Sequence, residues 1–129
     1  MIVVDSSAAI DFFVRGPLGS WAEQQLLGSD DLHVPQLFDL EVAAALRRLV
    51  LRGVTPAAAA DTAVADLAEL PVARYPNLPL LTRIWELRHI LTPYDAAYVA
   101  LAEELDAPLV TTDLRLARTP GLLVDVIAP

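Results

Sequence analysis

Four acidic residues far apart in the chain carry its most suggestive chemistry: Asp5, Glu41, Asp95 and Asp113. Asp5 closes the apolar run Ile2-Val3-Val4, and Asp113 closes Leu109-Val110-Thr111-Thr112. Asp95 lies in Thr92-Pro93-Tyr94-Asp95-Ala96-Ala97-Tyr98, where Thr92 reads as a helix N-cap and Pro93 as the first helical residue, whose missing N–H would be unpaired there anyway. Glu41 falls in the first turn of a helix expected from about Leu37 to Arg52, off its apolar stripe of Val42, Ala45, Leu46 and Leu49. Carboxylates a few ångströms apart repel, so a cluster of them persists when it is partly protonated or when a cation neutralises it. Carboxylate donors without Cys favour a hard ion, Mg²⁺ or Mn²⁺. Such an ion binds phosphate oxygens and lowers the pKa of a water, and a pair of ions about 4 Å apart clamps both oxygens of an in-line phosphodiester cleavage.

Whether these acids meet depends on the elements that carry them. Ile2–Val4, a second run at Leu32-His33-Val34 and a third at Leu109–Thr112 are short, apolar and rich in β-branched residues, as strands buried on both faces are. Val72-Ala73-Arg74 reads as a brief edge strand and Leu122–Val126 as the last strand. Between them lie helical stretches: one that Ser6-Ser7 would cap and Gly16-Pro17 would stop, then about Leu18 to Leu27 with Trp21 inward, and about Leu37 to Arg52. Two more follow, from Thr55-Pro56 to about Leu70 and from Leu78 to Leu91 with Leu81, Ile84, Trp85 and Leu91 inward, before the Asp95 helix itself. Strands separated by helices imply a mostly parallel sheet covered on both sides, an α/β/α arrangement whose binding crevice lies beyond the carboxyl ends of the strands. Asp5 and Asp113 would stand at that edge, and Glu41 and Asp95 would enter it from helix N-termini. Each acid also has a plainer role. Asp5 would begin the Ser-rich turn, Asp95 would complete a capping box with Thr92, Glu41 would favour its helix dipole, and Asp113 would cap a short helix at Leu114–Arg118.

Composition narrows the choice. At 129 residues the chain fits one domain, 1–129, that needs no disulfide or metal staple. A net charge of −8 argues against broad binding of nucleic acid through a basic face, though not against a nucleic-acid substrate bridged by cations. All nine basic residues are Arg, so ammonium-base and Schiff-base chemistry is excluded. The chain has no Cys, no basic leader and no apolar run long enough to span a membrane, which places it in the cytoplasm as an expectation. Its 55% hydrophobic content leaves apolar surface for a second copy or a permanent partner, or else for a dense Ala-rich core. His33 and His89 read as ordinary residues, while Arg15, Arg115 and Arg118 follow elements that end near the crevice, where they would meet a substrate's phosphate or else lie solvated.

Together the segment Ile2–Ala8, the helical Glu41, the segment Thr92–Ala102 and Leu109–Asp113 resemble the PIN-domain family, in particular VapC toxins. That resemblance implies a three-layer α/β/α domain that cuts RNA with Mg²⁺ or Mn²⁺, forms a homodimer and is silenced by a cognate VapB-type antitoxin. It also implies that Asp5, Glu41, Asp95 and Asp113 are the metal-holding catalytic quartet, with Thr111 as supporting hydroxyl. Ser7 stands where members often have Asn, and its hydroxyl is expected to orient Asp5 instead. Haloacid-dehalogenase phosphatases and response-regulator receivers also place an Asp after the first strand, but both need a Lys that this chain lacks. The rival of a different class is a non-catalytic module that keeps the fold and binds RNA or protein.

Overall fold

In a computed structural model that describes residues 1–129, Ile2–Val4 forms β1, the middle strand of a five-stranded sheet. Val3 and Val4 are buried, the place for β-branched residues on a pleat covered from both sides. The other strands are β2 (Leu32–Pro35), β3 (Val72–Tyr75), β4 (Leu109–Val110) and β5 (Val126–Ile127), in the spatial order β3-β2-β1-β4-β5. Every pair is parallel, so the sheet is wholly rather than mostly so. The helices are α1 (Ser6–Val14), α2 (Gly19–Leu27), α3 (Leu37–Leu51), α4 (Ala57–Glu69), α5 (Leu81–Glu86), α6 (Pro93–Leu105) and α7 (Leu114–Ala117). Helices α1 to α4 pack on one another, while α6 lies across β1, β2 and β4 with α5 against it, giving three α/β/α layers.

The layers explain α6. Ala96 through Ala102 are all buried, and a helix apolar around its whole girth belongs in a core. Its small Ala residues let it lie close to the sheet, and Tyr98 and Leu101 fill the space that remains. The core draws on β1, β2 and β4, whereas the flanking strands contribute only partly buried residues such as Val72, Tyr75 and Ile127.

Several sequence expectations shift. The strand expected at Leu109–Thr112 ends at Val110: the Thr111 N–H still donates to the Ile127 carbonyl at 3.1 Å, and the chain then bends at Thr112. The last strand is Val126–Ile127, not Leu122–Val126, since the register with β4 pairs Leu109 with Val126 and Val110 with Ile127. The helix expected over Leu78–Leu91 is a 3-10 turn at Leu78–Leu80, then α5, then turns. Ile84, Leu87 and Leu91 reach the core, while Leu81 and Trp85, both expected inward, are 54% and 64% exposed. Ser6 and Ser7 do not cap α1; they form its first turn, and Asp5 takes the N-cap position without a side-chain capping bond. Glu41 lies one turn deeper than expected: the first-turn acid of α3 is Asp39.

Candidate active site

The strand order reverses between β1 and β4, and in an open parallel sheet such a switch point opens a crevice beyond the strand ends. Asp5 follows β1 there, and Thr111, Thr112 and Asp113 follow β4. The two chain ends are joined: Val4 pairs with Val110, and the Asp5 N–H donates to the Val110 carbonyl at 2.9 Å. This register sets the Asp5 side chain beside Thr111.

Asp5 is almost fully buried, at 4% exposure. Burial pushes its carboxyl above the usual carboxylate range. The hydroxyls of Ser7 and Thr111 pull it part of the way back, and the Asp95 charge pushes it up again. Both hydroxyls donate to one oxygen, Oδ2, with Thr111 Oγ1 at 2.7 Å. Each hydroxyl then accepts a backbone N–H, Ser7 from Thr112 at 3.1 Å and Thr111 from Asp113 at 3.0 Å. Four residues from two chain segments thus hold one carboxylate oxygen, and Oδ1 is left without a well-formed hydrogen bond.

Glu41 reaches the same region from α3. Burial raises its carboxyl, the Tyr98 hydroxyl lowers it, and the charges of Asp5 and Asp95 raise it again. Tyr98, wholly buried in α6, donates to Glu41 Oε1 at 2.6 Å and leaves Oε2 without a well-formed bond. Burial, then the Glu41 bond, pushes the Tyr98 phenol far up, so it stays a donor throughout the working pH range.

Asp95 sits in the first turn of α6, where its backbone N–H donates to Thr92 Oγ1 at 3.2 Å. Its Oδ2 accepts from Arg115 Nη2 at 3.0 Å, and Oδ1 makes no bond. Asp113 caps α7, accepting on Oδ1 from the backbone N–H of Arg115 at 2.8 Å and of Leu116 at 3.3 Å; its Oδ2 accepts from Arg115 Nη2 at 2.9 Å. The capping role foreseen for Asp113 is therefore real, and it uses one oxygen. The Asp95 charge raises Asp5, the charges of Asp5 and Asp95 raise Glu41, and Arg115 ties Asp95 to Asp113.

This donor set suits a hard divalent cation, because Asp5, Glu41 and Asp95 each keep one carboxylate oxygen, Oδ1, Oε2 and Oδ1 respectively, without a well-formed hydrogen bond. The acids do not close into a compact group of three or more ligands. The cation between two of them, Asp95 and Asp113, is the Arg115 guanidinium.

Sequence reasoning missed Tyr98 and Asp11. Tyr98 has a readable signal, since a Tyr on a helix destined for the core needs a partner for its hydroxyl. Asp11 accepts from Thr112 Oγ1 at 2.7 Å and so ties α1 to the segment before Asp113; an acid on a partly buried helix face gives no such hint in the sequence. His33 is a satisfied core residue, bonded to Asp31 at 2.7 Å and to the Tyr75 hydroxyl at 2.8 Å. His89 and Arg118 are exposed, and Arg15 lines a groove with Phe12, Phe13 and Glu23 rather than the acidic crevice.

A parallel five-stranded α/β/α sheet with acids gathered at its switch point matches a known family: residues 2–122 match the PIN domain, and the chain belongs to the PIN-domain family. It is 48% identical to ribonuclease VapC9 of Mycobacterium tuberculosis over 119 residues, 92% of this chain and 91% of that one. It is 40% identical to ribonuclease VapC12 of the same species over 121 residues, 94% and 93% of the two chains. Among solved structures it resembles PAE2754 from Pyrobaculum aerophilum, with a TM-score of 0.69 and 27% identity over 97% of this chain and 81% of that one. VapBC2 from Rickettsia felis, bound to a DNA fragment from their promoter, gives a TM-score of 0.68 at 14% identity, covering 99% and 98%, a likeness of fold. No helix is long and apolar enough to cross a membrane.

Proposed function

We propose that this chain is a Mg²⁺- or Mn²⁺-dependent endoribonuclease of the cytoplasm, the toxin of a toxin–antitoxin pair whose partner is a VapB-type antitoxin. The observation that supports this reading is that Asp5 and Asp113 follow the strands at the switch point, with Glu41 and Asp95 near enough for their charges to act on that end of the sheet, and that Asp5, Glu41 and Asp95 each keep one oxygen without a well-formed hydrogen bond. The 48% identity to a ribonuclease over nearly the whole chain supports it.

In this reading the four acids hold the ion. A divalent cation bound there supplies a water of lowered pKa and a positive partner for phosphate oxygens. Ser7 and Thr111 fix Asp5 by occupying Oδ2, and Tyr98 fixes Glu41 by occupying Oε1, so each carboxylate offers a defined remaining oxygen. Purified Asp5→Asn, Glu41→Gln, Asp95→Asn and Asp113→Asn should each lose RNA cleavage by orders of magnitude while keeping the parent's circular dichroism. Parental cleavage by Asp5→Asn in Mg²⁺ would remove the site assignment.

The same reading includes a homodimer. Leu78, Leu81 and Trp85 recur at helical spacing along the 3-10 turn and α5, and all three are exposed, as is Tyr94. Such a stripe suits a second copy. Light scattering should give twice the monomer mass, reduced in Trp85→Glu; a monomeric parent would refute it.

A further inference from the structure

Resting on the metal site just proposed, we infer that Arg115 is a built-in counter-ion that keeps Asp113 out of the ligand set until a divalent cation takes its place. The inference comes from counting oxygens. Asp5, Glu41 and Asp95 each keep one oxygen free of a well-formed bond, but Asp113 keeps none: Oδ1 accepts the N–H groups of Arg115 and Leu116, and Oδ2 accepts from the Arg115 guanidinium. Asp113 therefore has no oxygen free of a hydrogen bond, and a divalent cation that approaches Oδ2 meets the positive charge of Arg115 there. The same nitrogen, Nη2, spans Asp113 at 2.9 Å and Asp95 at 3.0 Å, one N–H to each. A single positive group thus lies between two carboxylates, where a metal cation would otherwise neutralise them.

Two features make this a releasable hold. Arg115 is 67% exposed, and Nε and Nη1 make no bond within the protein. The two arginines that brace the fold behave differently: Arg74 uses Nε, Nη1 and Nη2 on Asp39, Val72 and Leu67, and Arg83 uses all three on Glu103 and Glu86. An exposed guanidinium held through one nitrogen is weakly held, because solvent screens the pair and the long side chain regains freedom on release. Nor is it needed to cap α7, whose backbone N–H groups bond to the other oxygen of Asp113.

The test is Mn²⁺ binding by isothermal titration calorimetry to the parent, Arg115→Gln and Arg118→Gln. Arg118 ends the same short helix, joins no carboxylate and carries the same charge, so its variant reports the general effect of losing one positive charge. Arg115→Gln should bind Mn²⁺ about three- to tenfold more tightly than Arg118→Gln, the scale set by one or two exposed ion pairs. In EDTA it should also melt below the parent, and saturating Mn²⁺ should close that gap. Affinity equal to or weaker than that of Arg118→Gln overturns the counter-ion role and leaves the metal site standing, since the parent still binds. Absence of binding in all three proteins overturns the metal site itself, and the counter-ion role with it.

Discussion

Tyr98→Phe isolates one hydroxyl at the centre of the site. Tyr98 is wholly buried and its ring packs in the core, so Phe keeps the packing and removes only the donor that meets Glu41 Oε1 at 2.6 Å. A hydrogen bond to a charged acceptor contributes about 1.5–3 kcal/mol and a neutral one about 0.5–1.5 kcal/mol. At pH 8, with Glu41 ionised, the variant should lose roughly 2 kcal/mol, a fall in melting temperature of about 6–10 °C for a chain of this size. The pH dependence has a definite sign. The Glu41 carboxyl is raised above its ordinary 4.5, so between 4.5 and its folded value the native state holds more protons than the unfolded state, and stability falls as pH rises. Removing Tyr98's hydroxyl raises Glu41 further. The extra cost is therefore full above the folded value and shrinks as pH falls, toward the roughly 1 kcal/mol of a neutral bond. Urea unfolding followed by the fluorescence of Trp21 and Trp85, from pH 8 down to just above the isoelectric point near 4.5, measures the difference. A loss that stays constant with pH, or grows as pH falls, would refute the assignment of this bond to ionised Glu41.

Thr111→Val should destabilise the protein by about 1–3 kcal/mol and lower cleavage by roughly ten- to a hundredfold, because the lost hydroxyl both donates to Asp5 and accepts from Asp113; urea unfolding and RNA cleavage assays check the two effects. Asp113→Asn should keep its cap and stay within about 0.5 kcal/mol of the parent, whereas Asp113→Ala should lose about 1 kcal/mol, with cleavage lost in both. For a site with a dissociation constant of about 1 mM, 10 mM Mg²⁺ should add roughly 1.4 kcal/mol, seen as a melting shift against NaCl of equal ionic strength and absent in Asp5→Asn. His33→Phe should lower the melting temperature by leaving Tyr75 and Asp31 without their partner, with cleavage unchanged.

The placement of Asp5, Asp95 and Asp113 at element boundaries was legible because its evidence is local and topological. A short β-branched run ending in Asp, or a Thr-Pro pair opening an Ala-rich helix, places these three acids at element boundaries, and the alternation of strands with helices puts those boundaries at one sheet edge; Glu41, one turn inside α3, has no such signal. What failed depends on partners distant in the chain. Leu122-Leu123-Val124 has the composition of a strand, but pairing belongs to Val126–Ile127 because only there does the chain meet β4. Trp85 fits an inward helical stripe on periodicity, yet α5 stops at Glu86 and the tryptophan stays outside with Arg88 over its ring at 4.8 Å. The bond from Tyr98 to Glu41 joins residues 57 apart, and that from Thr112 to Asp11 joins residues 101 apart. Spacing carries no trace of either.

Hydrogen-bond occupancy separates Asp5 and Glu41 from the acids that brace the fold. Asp39 gives both oxygens to Arg74, at 2.7 and 3.0 Å, and Glu103 gives both to Arg83, at 2.6 and 3.0 Å. These are two-point pairs whose geometry braces α3 to β3 and α5 to α6. Asp5 and Glu41 are built the opposite way. Neither has a cationic partner, both are raised by burial, and in each a single oxygen is held while the other is left without a well-formed bond. Folding alone would favour an apolar residue at position 5, since burying a carboxylate without a counter-charge costs free energy that two hydroxyls only partly offset. Under the proposed function, the cost carried at the end of the central strand, and again on α3, is offset when a divalent cation binds.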